Sequence, residues 1–346
     1  MRKIRQRLTP IALFLRFEYL VFALMLPLLG GASVQQQLNG THVIWLILSA
    51  FCFHIFISVQ NDIYDLQLDR TDPRRRNYPL VTGAVSVEFA SVLVGLQVPL
   101  VFVLCAWWGM SQPLSTSAIL VFGMLSIYNM FGKRTRLPIF TDLVQGIGFA
   151  ALILFGSFST GHATLLSAIA FWGVVIWMMQ TNHLGGLRDL QSDYLFDTFT
   201  TPISLGSKYR REGFFISRKS IVYSYLLLFI QFVVPAVFLV RESGSIDPAF
   251  FATVIGILVL VLVAAVRVLH SFFEIGSRHF RVEFDLAYVV MYLSALPMMA
   301  VLALNKNPWV FVFAGVVILA AFKTYYRVTQ RIRGDLVVRP ASSLSA

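Results

Sequence analysis

Apolar residues run along this chain in long blocks, and polar residues collect in short islands between them. Ten blocks are long enough to span a hydrocarbon layer of about 30 Å as helices. They cover roughly 11–31, 42–62, 87–109, 114–131, 138–159, 163–183, 220–241, 248–270, 285–304 and 308–326. The fourth is the shortest and begins directly after Pro113. The pattern predicts an all-α, polytopic membrane protein. It is read as one integral-membrane domain, with a core over about 10–305 and an accessory helix and tail over about 306–346.

Composition agrees with that reading. Hydrophobic residues make up 57% of the 346 and charged residues only 13%, with a mean hydropathy of +0.74. A soluble chain of this size needs more polar surface. The net charge of +11 could suggest nucleic acid in a soluble protein. Here the bases sit in short loops between apolar blocks, so the excess reads as membrane topology and no nucleic-acid partner is expected. With both termini placed in the cytoplasm, only Arg241 and Lys306 of the loop bases fall outside. That asymmetry predicts an even helix count in a cytoplasmic membrane, with lipid as a partner. The basic start, Arg2 to Arg7, resembles a signal peptide, but the following block contains Arg16 and Glu18 and is read as a retained helix. Cys52 and Cys105 lie inside apolar blocks and are expected to be packed thiols. Trp107, Trp108 and Trp309 are expected to anchor helix ends at the outer interface. The last residues, 341–346, are expected to form a mobile tail.

Two polar islands carry the candidate chemistry, and both fall on the cytoplasmic side of that topology. In the first, Asn61, Asp65 and Asp69 recur every four residues, with Asp62 between them. In the second, Asp189 and Asp193 have the same spacing, which Asp197 continues. Residues four apart stack on one helix face. Carboxylates at a membrane face are costly and usually functional. Two facing columns of oxygen ligands suit hard divalent cations that hold a diphosphate. A faint echo extends upstream: His54 precedes Asn61 by the same seven residues as Asn182 precedes Asp189.

These stretches resemble the UbiA-type intramembrane prenyltransferases. Asn61 to Asp69 matches the family's N-D-x-x-D-x-x-x-D element. The run from Arg76 through Pro79, Leu80 and Gly83 to Ser86 resembles the R-P-L-x-x-G-x-x-S segment that follows it. Tyr128, Lys133 and Arg134 match a Y-x-x-x-x-K-R element, and Asp189 and Asp193 match the second D-x-x-x-D. The resemblance covers roughly 10–305. It implies a nine-helix bundle around a lipid-open cavity, here with a tenth helix added. It also implies Mg²⁺-dependent transfer of a prenyl group from a polyprenyl diphosphate to a hydrophobic or aromatic acceptor. Asn61, Asp65, Asp189 and Asp193 are then the first-choice metal contacts, followed by Asp62 and Asp69. Lys133, Arg134 and Arg188 would bind the diphosphate. The sequence departs from several branches at Asp72, Tyr78 and Tyr194, which leaves the acceptor open.

The remaining candidates keep two readings each. Arg16 reaches the diphosphate or snorkels to the interface. Glu18 pairs with another helix or orients the acceptor. His54 is simply hydrogen-bonded, or it lines the acceptor pocket as a base. Asp142 pairs with a base or touches the acceptor, pairing being the preferred reading. Tyr128 is expected to wall the pocket of the allylic cation. Two rivals stand beside prenyl transfer: cyclisation or hydrolysis of the donor on the same fold, and a cation-coupled transporter.

Overall fold

A computed structural model describes residues 11, 13–71, 75–210, 213–275 and 280–338. Ten long helices are present among them: α1 Phe17–Ala32, α2 Gly40–Tyr64, α3 Val87–Trp108, α4 Gln112–Phe131, α5 Pro138–Phe158, α6 Leu165–Arg188, α7 Arg218–Arg241, α8 Pro248–Ile275, α9 Phe280–Leu302 and α10 Pro308–Val338. Polar residues at the block edges start them. Asn39 accepts from the His42 amide at 2.8 Å, Ser86 from Phe89 at 3.2 Å, and Thr164 forms a reciprocal cap with Ser167. Gly109, at φ 111°, stops α3 in a conformation that favours glycine. Nine of the helices are long and apolar enough to cross a membrane.

The exception is α1. The sequence predicts a span from 11, but Arg16 adopts a left-handed backbone (φ 46°), so the helix begins at Phe17. Its 16 residues cover about 24 Å. A short antiparallel hairpin, β1 Lys208–Arg210 with β2 Gly213–Phe215, interrupts the otherwise helical chain after α6.

Short α1 lies inside the bundle. It packs against α2, α5 and α10; α5 continues to α4 and α6; α9 gathers α6, α7, α8 and α10. At the end remote from the carboxylates, α1 and α5 touch backbone to backbone. A Cβ on Gly30 would meet the Ile153 carbonyl oxygen at 2.1 Å, and one on Gly156 would meet that of Pro27 at 1.9 Å. Ser33, Ser157 and Ser167 link their hydroxyls across α1, α5 and α6 there. The α9–α10 loop is tied to the same end by Asn305 to Ala32 O (2.6 Å) and Asn307 to Gln35 O (2.8 Å).

The tryptophans differ from expectation in one place. Trp107 is exposed, as an anchor should be. Neighbouring helical residues point about 100° apart, and Trp108 turns inward, stacking on His42 at 4.5 Å and donating to Ser159 O at 2.9 Å. Trp309 is half-buried beside Phe313. Arg2, Lys3, Arg5, Arg7, Asp72, Arg74 and the tail from 339 lie outside the described residues.

Candidate active site

The two acidic stretches break their helices in the same way. At the end of α2, Asp65 leaves helical geometry (φ −87°, ψ 1°), and a one-turn helix, Leu66–Asp69, follows. At the end of α6, Asp189 does the same (φ −93°, ψ 10°), followed by Leu190–Leu195. The i to i+4 backbone bonds nevertheless continue, Asp69 N to Asp65 O at 2.8 Å and Asp193 N to Asp189 O at 2.9 Å. The four-residue spacing therefore keeps its stacked geometry. Asp197 does not extend the second column: it takes a left-handed backbone (φ 51°) beyond the short helix and is exposed.

Both stretches open on one cavity of about 570 Å³, in the size range of a small-molecule site. Asn61, Asp65, Asp189 and Asp193 line it, with Arg16, Lys133 and Arg188. Lys133 Nζ lies 3.1 Å from Asp65 Oδ2 and within electrostatic reach of Asp193 and Asp189, so it bridges the two stretches. Burial works against its charge, but these carboxylates outweigh it and raise its pKa. Arg188 grips Asp189 through two bonds, of 3.0 and 2.8 Å, and reaches the Tyr288 hydroxyl on α9. Asp193 is 2% exposed, and its Oδ1 has no hydrogen-bond partner among the described residues. Burial raises its pKa to about 6, against the pull of Lys133.

Other expected residues fall at the edge or outside. Asp62 is held by Arg16, and Asp69 by Arg75 at 2.8 Å; neither carboxylate lines the cavity, whereas both bases do. Burial raises the Asp69 pKa, opposed by Arg75. Arg134 does not join them. Its guanidinium donates to the carbonyls of Met130 (2.7 Å) and Tyr64 (2.6 Å), clipping α4 to α2 on an exposed face. Two carbonyls left over at helix ends capture it more readily than the cavity does. His54 lines the cavity and bonds the Leu15 carbonyl at 2.7 Å. Glu18 lies in α1, with its side chain outside the described set. Tyr128 lines the cavity within electrostatic reach of Asp65, Asp142 and Asp193.

Sequence reasoning missed the α9 wall. Tyr288 and Tyr292 face Tyr19 and Phe22 of α1, with Phe22 and Tyr292 stacked at 5.8 Å. Their four-residue spacing was the available signal. Thr324 and Arg327 bring α10 to the same cavity.

Among the described residues, no group of three or more His, Cys, Asp or Glu side chains surrounds a common point as a metal cage. The donor set is instead split between two helix ends, and three of its four members already have polar partners: Asn61 approaches Asn129 at 3.4 Å, and the carboxylates of Asp65 and Asp189 hold bases. An oxygen-only set with one orphaned, buried carboxylate oxygen fits a hard cation that takes its other ligands from phosphate and water.

A charged mouth above an aromatic-walled cavity, within a helical membrane bundle, suits molecules with an anionic head and an apolar body. The chain belongs to the UbiA prenyltransferase family, which matches residues 20–273. It is a multi-pass membrane prenyltransferase, which sets the transporter reading aside. Solved structures with this fold include a digeranylgeranylglyceryl phosphate synthase, at 14% identity over 90% of this chain and 99% of that one (TM-score 0.62). They also include a UbiA homologue from Aeropyrum pernix K1, at 19% identity over 82% and 97% (TM-score 0.59). A third is a UbiA homologue from Archaeoglobus fulgidus bound to GPP and Mg²⁺, at 14% identity over 85% and 100% (TM-score 0.62). No match was found among curated protein sequences.

Proposed function

We propose that this enzyme transfers a prenyl group from a polyprenyl diphosphate to an aromatic, quinone-precursor or lipid-like acceptor, at the cytoplasmic face of the cell membrane. The observation that carries the reading is the convergence of Asp65, Asp189 and Asp193 with Lys133 and Arg188 at one end of an aromatic cavity. The Mg²⁺- and GPP-bound Archaeoglobus relative supports the donor class. The face is supported by the basic loops flanking both acidic stretches.

Asn61, Asp65, Asp189 and Asp193 would hold Mg²⁺, which when bound supplies positive charge to the departing diphosphate. Lys133 and Arg188, with Arg16 and Arg75 beside them, neutralise the remaining phosphate oxygens. The donor's C1–O bond breaks, and a bond from C1 to the acceptor forms. Diphosphate and the acceptor's displaced proton are the co-products. Tyr128, Phe22, Phe149 and Trp177 wall the space beyond the charged mouth, where they exclude water and present ring faces to a transient cation.

The test is diphosphate release by purified protein with Mg²⁺ and a labelled polyprenyl diphosphate, with and without aromatic acceptors. Acceptor-dependent release with label in a new product is expected. Release independent of acceptor would replace transfer by cyclisation or hydrolysis. Absence of release across donor lengths, from folded protein, would sink the reading.

A further inference from the structure

One wall of the cavity has a polarity that the diphosphate chemistry does not use. Asp142 and Gln145 lie three residues apart on one face of α5, with Phe149 a turn further along. Thr181 and Asn182 of α6 face the same cavity, as do Thr200 and Thr201 beyond it. Asp142 is buried, and its Oδ2 accepts from the Thr201 hydroxyl. Asn182 sits beside it. The sequence suggests a basic partner for Asp142, but among the described residues none pairs with it. Asn182 directs its side-chain amide to Asp142, but three buried atoms on this wall have no hydrogen-bond partner among the described residues: Gln145 Oε1, Thr181 Oγ1 and Thr200 Oγ1. Native proteins leave few such groups unmatched, so a set of three on one cavity wall calls for a partner.

The chemistry of the set narrows that partner. A carboxylate and an amide oxygen accept, a side-chain amide nitrogen donates, and threonine hydroxyls do both. A group with an O–H to give and lone pairs to receive satisfies them together. An anionic head would face Asp142, and among the described residues no base lies on this wall. Of the bases that line the cavity, Arg16, Arg75, Lys133 and Arg188 are each held by an aspartate, and Arg327 enters from α10. We propose that Asp142, Gln145, Thr181, Asn182 and Thr200 form the acceptor's recognition subsite, and that they select an uncharged head that donates a hydroxyl hydrogen bond to Asp142. This inference rests on the prenyl-transfer reading. The acceptor's body then lies against Phe149, Met178 and Trp177, which continue the same cavity. The hydroxyl has two sources, a phenol on a ring or an alcohol on a lipid.

The experiment supplies labelled donor and Mg²⁺ with two matched series. One contains phenols, their methyl ethers and the same rings bearing a carboxylate. The other contains a glycerol ether alcohol and its methyl ether in lipid. The hydroxyl compounds of one series are expected to give product at least tenfold better than their methyl ethers, and the carboxylated rings to be poor. Asp142→Asn should relax the discrimination against carboxylated rings. Asn182→Ala and Gln145→Ala should raise the acceptor KM about tenfold, with the donor KM within twofold. Equal use of ethers and hydroxyls, or parallel changes in both KM values, would overturn the subsite. So would diphosphate release with no product from any hydroxyl compound, and this would leave donor cleavage standing. No release at all would overturn prenyl transfer, and the subsite with it. Gel filtration of each variant checks folding, and Gln145→Ala spares the Asp142–Thr201 bond.

Discussion

The two acidic stretches share a backbone and differ in their partners. Each ends a membrane helix at an aspartate with nearly the same dihedral angles and continues in a short helix. In the first, every aspartate has a base from elsewhere in the chain: Asp62 has Arg16, Asp65 has Lys133 and Asp69 has Arg75. In the second, Asp189 takes the adjacent Arg188, and Asp193 keeps an orphaned oxygen. The first stretch thus holds the fold as well as the cavity, and the second leaves one buried carboxylate oxygen without a partner among the described residues. Without substrate, the protein's own bases occupy most of the carboxylates. Binding of a metal–diphosphate pair would exchange partners, carboxylates to metal and bases to phosphate, which favours the two arriving together over the metal alone.

The comparison can be broken at its strongest point first. Asp65→Ala and Asp193→Ala should each lower turnover by roughly a hundredfold or more, a loss typical of removing charge stabilisation. Their stabilities should part. Asp65→Ala orphans Lys133 and is expected to cost about 1–3 kcal/mol, whereas Asp193→Ala removes a buried carboxylate with an unmet oxygen and is expected to cost less. Thermal melts in detergent check this, and equal losses would dissolve the contrast. Lys133→Ala, which removes the base bonded to the first stretch and within electrostatic reach of the second, should raise the donor KM by roughly tenfold; an unchanged donor KM rejects its phosphate role. Asp69→Asn, outside the cavity, is expected to change turnover only a few-fold, with a loss of about 1 kcal/mol as its bond to Arg75 weakens. Arg134→Ala should have the smallest effect, with the donor KM within twofold in the same assay.

Much of this was legible in the sequence because the signals were local. Apolar blocks with Asn39, Ser86, Ser111, Thr164 and Ser217 at their edges mark where helices begin. The four-residue spacing of Asn61, Asp65 and Asp69 survives the helix break because the backbone bonds run through it. Pairings were not legible, because they depend on which loop meets which helix end. Nothing in the run Arg74, Arg75, Arg76 singles out Arg75. Lys133 and Arg134 are neighbours with opposite fates, one at the cavity and one bound to carbonyls. The polar wall escaped for another reason: Gln145, Thr181 and Thr200 are unexceptional singly, and only their shared cavity makes them a set.

The backbone contact between α1 and α5 has a mechanical consequence. Gly30 and Gly156 allow no gap, and nearby Asn305 and Asn307 tie the α9–α10 loop to the end of α1 and the loop beyond it. That end is the fixed point about which any tilt of α1 would turn. The other end of α1 carries Tyr19, Phe22 and Ala23 into the cavity, with Arg16 at its tip about 21 Å from Gly30 at helical rise. A swing of about 5° on that arm moves the tip by about 2 Å. We expect amide exchange in α1 to be slowest near Gly30 and fastest near Tyr19; uniform protection would deny the lever. The Gly30 end is locked backbone to backbone, whereas the tip is held through side chains, Arg16 on Asp62 and His54 on the Leu15 carbonyl, so a substrate that displaced those side chains would move the tip first.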